Sequence, residues 1–194
     1  MVLKHFEPEV DYSWEQLNEI TGKRPGFYTW PTRAFLWMKR RGYEIQSIDS
    51  VDFGRLVKEG RSYFSAYYGE EVATKQIAMC DFDAEMRLLE QYLTEVETPA
   101  VREPTMQDVR LMHRNGFVPI VNLNSFALNQ RPGYEGHFVI LLGSDMRRVQ
   151  MHDPGLPAKP SRAEKHAVFE KAWAYPDKKA KGLVGVRRQP DVSK

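Results

Sequence analysis

The stretch from Gly136 to Asp153, "GHFVILLGSDMRRVQMHD", constrains the fold more than any other part of the chain. It places a continuous apolar run beside an alternating one, with only Ser144, Asp145 and Met146 between them, and that spacing predicts an antiparallel hairpin. If Gly143 pairs with Arg147, every cross-strand pair sums to the same value and His137 falls opposite Asp153. Directly opposed residues carry their Cβ atoms about 5 Å apart on one face of the sheet. At that distance a carboxylate accepts a hydrogen bond from an imidazole Nδ1–H, which sets the tautomer and stabilises the imidazolium. The same parity sends His152 to the opposite face, beside Phe138, and a slip of one residue would exchange the two histidines. A structural reading stands next to this one, because histidine is common at a strand end and Asp before Pro and Gly is a turn former.

Upstream of the hairpin the pattern is helical. Ser13 and Gln16 form a capping box for a helix that Gly22 stops. Pro31 opens a second helix with three basic residues in its last turn and Gly42 after it. "YEIQSI" alternates as a short strand, and Val51 to Thr94 reads as helix with interruptions. Thr105 and Asp108 start another helix, which ends at Gly116. The pattern then changes to β, with "VPIVNLNS", the hairpin and a last strand "GLVGVRR", broken by a helix over "SRAEKHAVFEKAWAY" that Ser161 and Glu164 would cap. Helices first and an antiparallel sheet second predict an α+β domain over residues 1–194, helical to about 116 and sheet over about 117–190.

Composition narrows the function classes. The 194 residues are 42% hydrophobic, enough for one domain with a sizeable core. Twenty-eight basic and 26 acidic residues leave a net charge of +2, which gives no electrostatic case for a nucleic-acid or membrane partner. The basic run "PDKKAKGLVGVRR" reads as a solvated tail and edge strand. One cysteine, Cys80, makes no disulfide framework, the apolar runs are short of a membrane span, and "MVLKHFEPEV" lacks the features of a signal peptide, so the default compartment is cytoplasmic.

"GYEGHFVILLGSDMRRVQMHDPGLP" followed by "FEKAW" resembles the C-terminal half of the bacteriocin-processing, double-glycine-leader cysteine peptidases, a branch of the papain-like superfamily. In that family a histidine opens one strand, as His137 does, and an aspartate stands in an Asp-Pro after the next, as Asp153 and Pro154 do. The N-terminal stretch through "RRGYEI" resembles the part of such domains that follows the nucleophile. The resemblance implies a papain-like fold with N-terminal helices on a C-terminal antiparallel sheet. It also implies a Cys-His-Asp mechanism on a peptide or protein substrate, with no cofactor and no metal. His137 would be general base and acid and Asp153 its orienter, while Asn122 and Asn124 on the strand "VPIVNLNS" would contact substrate.

The expected cysteine and oxyanion glutamine are missing ahead of the first helix. "MVLKHF" reads as the last turns of a helix whose beginning lies upstream of Met1. Cys80 is a poor substitute, since Asp81 and Asp83 beside it raise a thiol pKa. The chain as it stands is therefore expected to be inactive in thiol proteolysis. Two alternatives remain open: a non-catalytic peptide-binding module of the same fold, or a papain-like acyltransferase. A shortened first helix also predicts an exposed apolar groove and, through it, a homo-oligomer. A zinc site from His137, His152 and Asp153 is disfavoured because adjacent strand residues face opposite ways.

Overall fold

Alternation of side chains along the strands decides how this chain folds, because the sheet is covered on both faces. The computed structural model describes residues 1–96, 98–155, 157–175 and 177–189. Among these the chain is α+β, with ten α-helices and one seven-stranded mixed sheet. The strands are β1 (Tyr43–Asp49), β2 (Ala100–Val101), β3 (Val118–Asn124), β4 (Gly136–Ser144), β5 (Arg148–Asp153), β6 (Lys159–Lys165) and β7 (Gly182–Arg188). Their order is β2-β1-β7-β3-β4-β5-β6, antiparallel except where β2 lies parallel to β1.

Helix starts follow local chemistry. Helix α1 (Val2–Phe6) has no side-chain cap at Met1. Helix α2 (Trp14–Thr21) carries the predicted capping box, Ser13 Oγ accepting from Gln16 N–H, and stops at Gly22, whose φ of 68° is the left-handed cap that glycine accepts most readily. Helix α3 (Thr32–Arg40) is the one that follows Pro31, and α4 (Phe53–Glu59), α5 (Arg61–Tyr68), α6 (Glu70–Ala78) and α7 (Phe82–Glu95) form the interrupted helical stretch. Asp52 and Asp81 cap α4 and α7 through their carboxylates. Helix α8 (Met106–Arg114) has the Thr105 and Asp108 box. Two more follow, the short α9 (Ser125–Leu128) and α10 (His166–Trp173).

The two faces of the sheet bury different cores. Tyr43, Ile45 and Val186 point to the face covered by α3 to α7, where Phe35, Leu36, Leu56, Phe64 and Leu89 pack. Val121, Leu123, Val139, Leu141, Met151 and Leu183 point to the other, against Val109, Phe169 and Trp173 of α8 and α10. At about 1.5–3 kcal/mol for each fully buried large apolar side chain, either layer outweighs any single cap.

Three expectations need correction. The sheet is not confined to the C-terminal part, since β1 from the helical half pairs along its whole length with β7. Strand β7 is central rather than an edge, because Leu183 and Val186 bury opposite faces and Gly185 leaves room for Met112 and Phe117. Its basic neighbours are engaged as well: Lys181 pairs with Glu103 at 3.1 Å and Glu170 at 2.8 Å. Finally, residues 161–165 are strand rather than helix; Ser161 has φ of 60° and caps nothing, and α10 begins at His166 directly after β6. The expected end of the sheet part at residue 190 lies outside the described residues.

Candidate functional site

The hairpin forms, with a register two residues from the predicted one. Ile140 pairs with His152 and Leu141 with Met151, and a bulge at Leu142 shifts the next pair to Gly143 and Gln150. Asp153 is therefore diagonal to His137 rather than directly opposite. A shift of two preserves parity, so both side chains still share a face, and a carboxylate on the diagonal reaches an imidazole. His152 is on the other face as expected, but opposite Ile140 instead of beside Phe138.

His137 and Asp153 meet at 2.7 Å through Nε2 and Oδ1. The contacting nitrogen is Nε2, not Nδ1, so the neutral ring assigned from this bond donates Nε2–H and keeps its basic lone pair on Nδ1. Gly155 N–H donates to the same Oδ1 at 3.0 Å, closing an Asx turn across Pro154. A side chain at residue 155 would stand 3.1 Å from that oxygen, so glycine keeps the turn close to the pair. Arg162 Nη1 donates to Oδ2 at 2.9 Å, and the same guanidinium bonds Glu164 Oε1 at 2.8 Å and the Leu128 carbonyl at 3.1 Å. Burial alone would raise the Asp153 carboxyl; the bonds from His137, Gly155 and Arg162 outweigh it and hold it below its ordinary value. The carboxylate is thus ionised at neutral pH and accepts three hydrogen bonds.

Arg162 escaped the sequence reading because residues 161–165 looked like a helix start. In the sheet it opposes Met151, and the extra β6 residue near Ser161 turns it toward Asp153. The charge alternation in "KPSRAEK" was the available signal.

The two asparagines have different fates. Asn124 is 1% exposed, and its amide caps α9, accepting from Phe126 N–H at 3.0 Å and Glu135 N–H at 3.1 Å and donating to Gly133 O at 2.9 Å. It shapes the turn before β4 and is not among the residues lining the cavity. Asn122 lines a cavity, and its buried Oδ1 has no hydrogen-bond partner among the described residues.

That cavity, of about 510 Å³, lies between α3 to α7 and the sheet face bearing Ser47, Asp49, Ile120, Asn122, Gly182 and Val184, a size typical of small-molecule sites. Met1, Tyr134, His137, Phe138 and Pro154 extend its lining to the start of β4. Two other titratable groups, Cys80 and His113, are a poor nucleophile and a poor base. Cys80 is 7% exposed, and burial, then Glu85 and Asp81, push its thiol up to about 11. Burial lowers the His113 imidazole. No three His, Cys, Asp or Glu side chains cluster as metal ligands among the described residues, and no described helix is long and apolar enough to cross a membrane. Comparison with protein-family models and with curated proteins gives no match, so the reading of this site rests on its geometry.

Proposed function

We propose that the chain carries the base and the orienting carboxylate of a papain-like, thiol-dependent site that hydrolyses peptide or amide bonds. The observation that carries the reading is the His137 Nε2 to Asp153 Oδ1 bond, with every other Asp153 contact fixed by Gly155 and Arg162. In the reaction, Nδ1 of His137 takes the thiol proton as the sulfur attacks the carbonyl carbon. Asp153 stabilises the imidazolium, which then gives the proton to the leaving amine, and water repeats the sequence to release the acid. A histidine opening one antiparallel strand and an aspartate closing the next, beside a helix-lined cleft, is the arrangement this chemistry requires.

Cys80 does not supply the thiol, so the reading calls for a cysteine from outside these 194 residues. The reading frame upstream of Met1 tests it. An in-frame cysteine just ahead of α1, with peptidase activity in the extended chain that iodoacetamide and His137→Ala both abolish, is the expected result. An extended chain whose activity survives His137→Ala would refute the mechanism. Stop codons directly upstream would favour a second reading, a peptide-binding module of the same fold, which the largely apolar cavity and the buried Cys80 support.

A further inference from the structure

The pairing register of the sheet creates a polar row inside the apolar cavity. Asp49 of β1 and Asn122 of β3 both pair with Gly182 of β7, so the three occupy one line across the sheet. Directly paired residues share a face, and all three line the cavity. Two strand spacings separate the Asp49 and Asn122 backbones by about 10 Å, with a glycine between them. Gly182 is needed there, because a Cβ on it would overlap the Asp49 carboxylate.

Asp49 has unusual company for a partly buried acid that lines an apolar cavity. Its Oδ1 accepts from Val51 N–H at 2.8 Å, yet none of the ion pairs among the described residues includes it. Asp153, by contrast, is neutralised by Arg162 and Glu44 by Arg187. No lysine or arginine is among the cavity lining, which is built largely from rings and aliphatic groups such as Trp30, Phe53, Phe64, Tyr68 and Leu89; its other ionisable nitrogens are the Met1 α-amino group, whose pKa burial lowers, and His137, which is bonded to Asp153. Burial pushes the Asp49 carboxyl up to about 7, and after burial the Asp49 charge raises the phenols of Tyr67 and Tyr68. Among the described residues no cation lies within ion-pair distance of the Asp49 carboxylate, and two further acceptors, Thr29 Oγ1 and Asn122 Oδ1, are buried in the same lining without a partner among those residues.

We propose that this cavity is a binding site for a small amine, a ligand with an apolar ring or alkyl body whose primary ammonium pairs with Asp49. The ammonium supplies the missing cation, its remaining N–H donors suit the unpartnered acceptors, and the aromatic walls take the apolar body and favour a nearby positive charge. A carboxylate ligand is rejected by Asp49, and a neutral isostere forgoes the ion pair. This site uses none of the His137 and Asp153 chemistry, so it stands whether or not the chain belongs to a peptidase.

Calorimetric titration of the full chain with tryptamine and with its alcohol isostere tryptophol at pH 8 tests the assignment. Tryptamine should bind at least about 10-fold more tightly, the equivalent of one charge-assisted hydrogen bond. Asp49→Asn, which keeps an acceptor for Val51 N–H, should bring the two ligands within about 3-fold of each other while the near-ultraviolet circular dichroism stays native. Cys80→Ser, at a residue outside the lining, should leave the preference unchanged. Equal binding of amine and alcohol, a preference that survives Asp49→Asn, or no binding of either at millimolar concentration would each overturn the proposal.

Discussion

Replacing Arg162 with methionine tests how the site is held together. The guanidinium is 9% exposed and bonds Asp153, Glu164 and the Leu128 carbonyl at 2.8 to 3.1 Å. Methionine fills a similar length but leaves the buried Asp153 without its cation and the Leu128 carbonyl without its donor. Breaking a buried ion pair by removing one partner costs about 3–5 kcal/mol, a large part of the roughly 5–15 kcal/mol that stabilises a domain. The loss should depend on pH. Asp153 is held below its ordinary value in the folded state, so its contribution is present above the unfolded value of about 3.9 and disappears as pH falls through the folded one. Urea unfolding at pH 7 and at about pH 3 should therefore show a large penalty for Arg162→Met at pH 7 and a smaller one at the lower pH, the decline falling below the unfolded carboxyl value of about 3.9. Adding Asp153→Asn should recover part of the loss, because the unpaired charge is gone. A penalty under about 1 kcal/mol at pH 7, or one indifferent to pH and to Asp153→Asn, would refute the ion-pair argument.

Two further outcomes follow from the buried titratable groups. Asp49 has its folded value raised to about 7 by burial, so its ionisation opposes folding from about pH 4 upward and fully above 7. Asp49→Asn should accordingly match the parent near pH 4 and exceed it at pH 8 by about 2–4 kcal/mol in urea unfolding, and equal stability at both pH values would refute this. Cys80, with its thiol near 11, should react with iodoacetamide at pH 8 on the order of 100-fold more slowly than an unhindered thiol, and labelling at the free-thiol rate would contradict its burial.

Much of the local structure was legible because it depends on neighbours in sequence. The boxes at Ser13 and Thr105, the stop at Gly22 and the strands β3, β4 and β5 are short-range signals. The meeting of His137 and Asp153 was also legible, since parity survives a shift of two. Long-range choices were not. Nothing local says that β7 inserts between β1 and β3, and nothing in "SRAEK" distinguishes a capped helix from a bulged strand until Arg162 finds Asp153 across the sheet. Asp49 was readable in principle, as the one acid on the inward side of the alternating Tyr43, Ile45 and Ser47, but its weight comes from Gly182, 133 positions away, and from the helices that close the cavity. Asn124 misled because a strand-end amide serves a cap as readily as a substrate.

The orientation of the His137 ring carries the account of the candidate site, and long-range proton–nitrogen correlation spectra of the labelled protein read it directly. In its neutral form the ring should show a protonated Nε2 and an unprotonated, pyridine-type Nδ1, with the Nε2 proton shifted downfield by the Asp153 bond, and Asp153→Ala should remove that shift and mix the tautomers. A neutral ring protonated at Nδ1, or a spectrum indifferent to Asp153→Ala, would contradict the assignment of His137 as a base aimed by Asp153.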